Sequence, residues 1–248
     1  MVDRALAELS PTFSRMYAKV GRPSIPPEHL LKGCLLMALY TIRSERQFCE
    51  RLQYDLLFKW FLDLNIMDPA FDPSTFSKNK TRLLDHEVSG QFFQEVLAEA
   101  QRRQLLSDEH FTVDGTLLES WASLKSFRPK DGRGPKGGGR NPEVDFLGEQ
   151  RKNDSHASTT DPEARLARKG PGKEAKLCFA GHVLMENRNG LAVGVLVTEA
   201  TGRAERQAGV DLLSRLRGVG RITLGGDKNY DTRGFVAKCR EMRVTPQV

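Results

Sequence analysis

The spacing of apolar residues divides the chain into a helical part and a part with strands. Between residues 25 and 106, apolar side chains recur three and four positions apart, in segments joined by short polar connections. The clearest segment is 89–106, where the apolar residues between Phe92 and Ala100 fall on one side of a helix. We therefore predict a helical N-terminal domain at 25–106, preceded by an N-terminal arm at 1–24.

Residues that cap helices support this division. Pro26 and Pro27 suit the first turn of one helix, and Ser44 begins the next. Asp72 and the three residues after it predict a capped helix that runs to Leu84.

After residue 107 the pattern changes to short runs of strand-forming residues. The runs first predict a strand within 110–123, a long insertion at 122–173 and a hairpin at 175–202 that turns at Asn187–Gly190. After the hairpin they predict a helix at 204–217, a strand at 221–226, a helix at 232–242 and a strand that starts at Val244. This is the order of a ribonuclease-H-like mixed sheet with helices, in which the first and fourth strands are neighbours. We predict an α+β protein with that sheet at 107–248.

An aspartate ends each of the two strands that this order makes neighbours. Asp114 lies on the first strand, and Asp227 follows the fourth. Carboxylates past buried strands are costly unless they are paired, solvated or bound to a metal, and two of them together suit Mg²⁺ and phosphoryl transfer. The alternative is that both form turns or cap helices, which Asp114-Gly115 also suits.

Positive charge is concentrated in the predicted insertion. The chain of 248 residues has 38 Lys and Arg against 32 Asp and Glu, a net charge of +6. Within 122–173 the count is twelve against seven, so this segment carries most of the excess. A basic loop beside a carboxylate site is suited to DNA phosphates, and the alternative is a disordered insertion with no partner.

Two regions supply candidate DNA contacts. In the helical domain, residues 72–85 and the helix before them resemble a helix-turn-helix in outline, with Lys78, Lys80 and Arg82 on the second helix. The alternative is a charged face that is only solvated. The remaining candidates lie in or near the second domain: Trp121, Lys125, Arg128, Lys130, Arg165, Arg168, Lys169 and Lys228. Trp121 either stacks on an unpaired base or closes the base of the insertion.

The four cysteines are scattered, without zinc-ligand spacing, and are typical of reduced thiols in a cytoplasmic protein. No signal peptide is visible, and the longest apolar run, near 33–42, is too short to span a bilayer. These patterns predict a soluble chain in the cytoplasm with no membrane partner.

Several motifs in a fixed order resemble a known family. They are GRPSIPPEHLLKGCLLMALYTIRSERQFCERL, VDGTLLESWASLKSF, STTDPEARLARKGPGKEAKLCFAGHVLMENRNGL, ATGRAERQ and GGDKNYDTRGF. Together they are similar to the DDE transposases of bacterial insertion sequences, and most similar to the insertion-sequence-five type. The similarity extends from about Gly21 to the last residue.

The resemblance implies a ribonuclease-H-like core that binds two Mg²⁺ or Mn²⁺ ions and cuts DNA at transposon ends. Asp114 matches the first acid of the triad, and Asp227 matches the second. The implied partners are double-stranded DNA of the ends and target, and further copies of the chain in a dimer or larger synaptic complex.

One part of the family pattern is missing. The third acid of the family is a glutamate on a helix well beyond the second aspartate, but only 21 residues follow Asp227. The carboxylates among them, Asp231 and Glu241, are poorly placed to replace it. The resemblance therefore implies a C-terminally truncated transposase that is inactive alone. The alternatives are a non-catalytic DNA-binding remnant that represses an intact transposase, and a product that never folds.

Overall fold

The first part of the chain is helical, and the second combines a mixed sheet with helices, as the α+β prediction requires. The computed structural model describes residues 1–17, 24–85, 87–131, 151–170, 172–216 and 221–248. The chain divides into two compact units, Met1–Leu105 and Leu106–Val248. Nowhere in these described ranges is a helix long and apolar enough to cross a membrane.

The helical unit follows the predicted caps closely. Its helices are α1 (Val2–Glu8), α2 (Ser10–Met16), α3 (Pro27–Leu39), α4 (Glu45–Tyr54), α5 (Leu56–Phe61), α6 (Pro73–Asp85) and α7 (Val88–Arg102). The Ser44 hydroxyl accepts a hydrogen bond from Gln47 N at 3.2 Å, and Asp72 accepts one from Thr75 N at 2.8 Å. Both residues therefore cap the helices that the sequence predicts there.

The segment predicted as an N-terminal arm forms helices α1 and α2 instead. Leu6, Leu9 and Phe13 are buried in the same apolar core as Phe48, Phe58 and other side chains from α3 to α7. Arg4 also forms an ion pair with the buried Glu99 of α7 at 3.1 Å. These residues are an integral part of the helical unit, and residues 18–23 of the predicted arm lie outside the described ranges.

In the second unit, one sheet holds β1 (His110–Glu119), β4 (Arg165–Ala167), β5 (Lys176–Glu186), β6 (Ala192–Glu199), β7 (Ile222–Gly225) and β8 (Val244–Gln247). Across the sheet the order is β6-β5-β1-β7-β8, with β4 beside the start of β5. Strand β5 is antiparallel to its neighbours β1 and β6. Strand β7 is parallel to its neighbours β1 and β8. The prediction that the first and fourth strands of the order are neighbours is confirmed, since β1 pairs with β7.

Two helices cover one face of this sheet. They are α8 (Ala204–Ser214) and α9 (Arg233–Glu241), and their apolar residues share a core with Val113, Leu184 and Leu224 of the strands. Because Val113 and Leu224 are fully buried on neighbouring strands, this core fixes the position of β1 against β7.

The predicted insertion contains more structure than its composition suggests. Two short strands, β2 (Phe127–Pro129) and β3 (His156–Ser158), pair as a separate two-stranded sheet, and β4 joins the main sheet. Residues 132–150 of the insertion lie outside the described ranges.

Candidate functional site

Asp114 lies on β1, and Asp227 lies two residues past the end of the neighbouring parallel strand β7. The last facing pair between these strands is Thr112 and Gly225, and each aspartate lies two residues further along. Neighbouring strands are about 4.8 Å apart, so a continuation of this register beyond Gly225 would bring the two aspartates side by side. Both side chains are exposed to solvent. Beyond Gly225 the described residues give β1 no partner on this side, so the sheet is open beside Asp114.

Local hydrogen bonds orient both carboxylates. Asp114 accepts from the backbone N–H of Gly115 at 2.8 Å. Asp227 accepts from Asn229 N at 2.9 Å and from Asn229 Nδ2 at 3.1 Å, and it caps the short 3₁₀ turn Lys228–Tyr230. Asp227 is thus a capping residue, as the alternative interpretation holds, but its exposed carboxylate is still accessible to a cation.

The structure adds an acidic residue that the sequence analysis did not identify. Glu205 lies in the first turn of α8, and its side chain covers Gly115, the residue after Asp114. A Cβ at position 115 would be 3.1 Å from Glu205 Oε1 and 3.2 Å from its Cγ. In the sequence, Gly115 stands out only as a glycine after a strand aspartate, and Glu205 only as an acid at the start of a helix. Neither feature is specific for a functional site.

Burial raises the pKa of Glu205, and the negative charges of Asp227 and Asp114 raise it further, while Arg206 lowers it. Glu205 is half-buried. Within the described residues, none of these three acids forms an ion pair with a Lys or Arg side chain. The three carboxylates therefore concentrate negative charge, which Arg206 offsets at Glu205 without an ion pair.

A buried hydroxyl adjoins these carboxylates. Tyr230 is 1% exposed, and its hydroxyl has no hydrogen-bond partner in the described structure. Burial raises the pKa of Tyr230 far above its usual value, and the charges of Glu205, Asp227 and Asp114 add to this effect. The ring is confined on both sides by glycines: a Cβ at Gly209 would be 3.3 Å from Tyr230 Cε1, and one at Gly226 would be 3.1 Å from Cδ2.

These groups are chemically suited to Mg²⁺ or Mn²⁺, which prefer carboxylate oxygens and retain water ligands. In their present rotamers, no three Asp, Glu, His or Cys side chains of the described residues are grouped tightly enough to hold one ion.

The two carboxylates after Asp227 lie elsewhere in the unit. Asp231 is exposed and follows the 3₁₀ turn that Asp227 caps, and Glu241 is the exposed last residue of α9. Neither is among the negative charges that act on Glu205 or Tyr230.

The three basic residues predicted as DNA contacts in the helical unit differ in their environments. Lys78 is exposed on α6, whereas Lys80 forms an ion pair with Glu45. Arg82 lies over the ring of Tyr17, 5.2 Å from its centroid. Helix α6 packs mainly against α3, α4 and α7. The helix-turn-helix remains a prediction.

The candidates in and around the insertion are mostly exposed. Trp121 is 100% exposed, so it does not close the base of the insertion. Arg165 forms an ion pair with Glu199 at 2.7 Å, so its charge is offset. Lys130 donates to the carbonyl of Asn153 at 2.8 Å. Exposed side chains are also found at Lys125, Arg128, Arg168, Lys169 and Lys228.

Comparison with known proteins yields one family match. Residues 1–82 match a family described as "Transposase domain (DUF772)". The match covers α1 to α5 and most of α6, and it includes the segment predicted as an arm. No curated protein matches the chain.

Two solved transposase complexes show a weak overall likeness. The first is a piggyBac transposase synaptic complex with hairpin DNA, at 11% identity and a TM-score of 0.41, over 99% of this chain and 46% of that chain. The second is a Mos1 transposase paired-end complex with the left transposon end, at 11% identity and a TM-score of 0.27, over 97% of this chain and 66% of that chain. TM-scores this low do not establish a shared fold, and the chain spans about half the length of the piggyBac protein.

Proposed function

We propose that this chain is a DDE-type transposase of the insertion-sequence-five group, in which Asp114 and Asp227 hold divalent metal ions that cut DNA strands. The observation that carries the proposal is the pairing of β1 with β7, since each aspartate follows the last facing pair, Thr112 and Gly225, by two residues. The match of residues 1–82 to a transposase domain supports DNA transposition over other uses of a two-carboxylate site.

The sheet order supports a ribonuclease-H-like catalytic unit. Three antiparallel strands, β1, β5 and β6, are followed by the parallel strands β7 and β8, with α8 and α9 in the crossovers. Bound Mg²⁺ or Mn²⁺ would activate a water or a 3′-hydroxyl and stabilise the leaving oxygen. Asp114 and Asp227 orient the ions, and the open edge beyond Gly225 leaves space for a DNA strand.

Exposed basic residues supply the contacts to DNA phosphates in this proposal. Lys125, Arg168 and Lys169 belong to the insertion, and Lys228 directly follows Asp227. Phosphate contacts of this kind position DNA without reading its sequence. Two transposon ends require two active sites, so we propose a dimer or larger complex as the working form.

A nicking assay tests the proposal. The substrate is a supercoiled plasmid that carries the gene with its flanking DNA, incubated with the full chain in Mg²⁺, Mn²⁺ or EDTA. We expect nicking that requires the metal and falls at least about 100-fold in Asp114→Asn and Asp227→Asn, because even outer-shell partners of a metal site contribute 10–100-fold. Asp211→Asn on α8 is the matched control, since it also removes one carboxylate. Equal nicking by all four proteins contradicts the proposal.

One observation favours a second function, DNA binding without cleavage. Within the described residues no three acidic side chains are grouped closely enough to hold one ion. A chain that cannot hold the metal would not cut DNA. In this second function it binds transposon ends and represses an intact transposase. This function predicts salt-dependent binding of end DNA that survives the loss of both aspartates, with no nicking in either metal.

A further inference from the structure

We propose that an exposed apolar surface on the helical unit is the site at which two copies of this chain pair. This α5 patch consists of six side chains on and beside helix α5: Tyr54, Leu56, Leu57, Trp60, Ile66 and Met67. The inference rests on the proposed function only for the need to join two chains, since each transposon end requires its own active site.

Helix α5 buries its one charged residue and exposes apolar ones. Lys59 is 4% exposed and donates to the backbone carbonyls of Ile66 at 2.5 Å and Asp68 at 2.8 Å. Leu56 and Trp60, one turn apart on the outer face of the helix, are both exposed, Trp60 at 72%. A helix that faces water normally has the opposite arrangement. The outer face of α5 is therefore suited to an apolar partner.

The rest of the patch lies beside this face. Tyr54 is the last residue of α4 and directly precedes the cap of α5. The loop after α5 returns to the helix, because Leu64 N donates to the carbonyl of Lys59 at 2.9 Å and the Lys59 ammonium holds the carbonyl of Ile66. Ile66 is exposed in that loop, and Met67 is 88% exposed. The exposed apolar side chains between residues 54 and 67 therefore lie close together on the unit.

The α5 patch is as large as one side of a dimer interface. Large side chains present roughly 150–250 Å² each when fully exposed, so at their exposed fractions the six together present on the order of 800 Å². The largest apolar patch of a monomer is commonly about 300–600 Å². A stable dimer buries about 800 Å² on each partner. The patch thus exceeds what a monomer usually exposes and matches what a second copy would cover.

The charges at the border of the patch do not oppose the pairing of identical copies. Asp55 pairs with Arg51 at 2.9 Å, and Asp63 pairs with the buried Lys32. A twofold contact repeats the same surface on both partners, so like groups approach one another. Because these acids are neutralised within their own chain, two copies can meet without strong repulsion.

The composition of the patch favours a protein partner over a lipid bilayer or a nucleic acid. Both of those surfaces are negatively charged or attract Lys and Arg. Between residues 54 and 67 the only basic residue is Lys59, which is buried. Tyrosine, tryptophan and methionine, all present in the patch, are enriched in protein interfaces. Trp60 is the expected anchor, because tryptophan is among the residues that contribute most to binding.

Sedimentation equilibrium of the full chain tests the pairing. We expect a wild-type dimer of twice the chain mass of 27.8 kDa. Trp60→Glu should raise the dimer dissociation constant at least about 30-fold, the effect of losing one strong interface residue. Trp121→Glu is the matched control, because it places the same charge at an exposed tryptophan of the second unit and should dimerise like the wild type. A monomeric wild type, or equal dissociation constants in the two variants, overturns the proposal.

Met67→Glu provides a second route if Trp60→Glu does not fold. Met67 is almost fully exposed in a loop, so its replacement should leave the circular dichroism spectrum and Tm of the chain unchanged. We expect it also to weaken the dimer. A folded Met67→Glu variant that dimerises like the wild type contradicts the proposed surface.

Tryptophan fluorescence tests whether the patch itself is covered. The chain has two tryptophans, so Trp121→Phe leaves Trp60 as the single emitter. On dilution from dimer to monomer, its emission should shift to longer wavelength as the ring returns to water. Trp60→Phe keeps an aromatic ring in the patch but leaves only Trp121, whose emission should not shift. An unchanged Trp60 emission across dissociation contradicts the assignment.

The outcomes separate this inference from the proposed function. A monomeric wild type that still nicks DNA with Mg²⁺ overturns the pairing surface alone. A dimer that is lost in Trp60→Glu, but shows no metal-dependent nicking, supports the surface and overturns the metal function. A monomer that floats with phosphatidylcholine vesicles assigns the patch to lipid and overturns the proposal.

Discussion

Asp114 on β1 and Asp227 after β7 each lie two residues beyond Thr112 and Gly225, the last facing pair of these parallel strands. They share their surroundings with the half-buried Glu205, whose pKa is raised by burial and by both of their charges. A metal-free protein therefore keeps like charges near one another, and Arg206 offsets them only in part. This repulsion is expected to lower stability in the absence of metal, and a cation bound as we propose would relieve it.

The first prediction follows from this repulsion. In EDTA, Asp114→Asn and Asp227→Asn should not lower the free energy of unfolding, and each should raise it by up to about 1 kcal/mol, the usual range for exposed charge pairs. Asparagine also preserves the cap that Asp227 provides. Asp161→Asn is the control, because Asp161 accepts a hydrogen bond from the Ser120 hydroxyl at 2.5 Å and its loss should be destabilising. Chemical denaturation measures all three. Clear destabilisation by Asp114→Asn would contradict the prediction.

The second prediction concerns the buried carboxylate of Glu186. It accepts backbone hydrogen bonds from Ser107, Arg188, Asn189 and Leu191, at distances from 2.8 to 3.3 Å, and so holds the β5–β6 turn to the start of the unit. Glu186→Gln turns an NH₂ group toward these donors, and we expect a loss of about 1.5–3 kcal/mol.

The matched control for Glu186 is an exposed acid of the same unit. Glu109 is 56% exposed in its ion pair with Arg188, and Glu109→Gln should cost less than about 1 kcal/mol. Denaturant unfolding monitored by circular dichroism compares the two variants. Equal losses would mean that the backbone bonds of Glu186 contribute little.

The third prediction concerns pH and the helical unit. Arg103 and Arg102 hold the pKa of Glu99 at about 2, below its ordinary value of 4.5. A lowered carboxyl pKa stabilises the fold above pH 4.5, and that contribution is lost as the pH falls from 4.5 toward 2. Glu99→Gln should therefore flatten the dependence of unfolding free energy on pH in this window. Glu95→Gln on the same helix is the control and should retain the wild-type slope.

The fourth prediction separates the basic residues of the insertion. Arg168 and Lys169 are exposed, whereas Arg165 is paired with Glu199. Replacement of both Arg168 and Lys169 by alanine should reduce the slope of log affinity against log salt by about 2, because each phosphate contact contributes about 0.9. Arg165→Ala should change it less. Fluorescence anisotropy with labelled DNA from the gene flanks measures the slopes, and identical slopes would remove these residues from the DNA contact.

The strand order follows from patterns that sequence reasoning resolves well. The hairpin at Asn187–Gly190 has the turn residues and the flanking strand runs, and β5 and β6 form there. The pairing of β1 with β7 follows from the order of the elements once the hairpin is assigned. A local signal is present at each of these points.

The elements and the residue that the sequence analysis did not predict lack such a signal. Helices α1 and α2 have seven residues each, too short to be stable alone, and they exist because Leu6 and Phe13 enter the core. Strands β2 and β3 have three residues each, too few for a visible alternation. Glu205 looks like an ordinary acid in the first turn of a helix. Only the packing of α8 over Gly115 brings it near the aspartates.

The central claim is that Asp114 and Asp227 bind the same metal centre. A double-mutant cycle on the Mn²⁺ dissociation constant, measured with Asp114→Asn, Asp227→Asn and the double variant, tests it most directly. We predict that each single variant weakens binding at least about tenfold and that the double variant is little weaker than either, because loss of one ligand already disrupts the shared centre. Wild-type affinity in both single variants would contradict the claim.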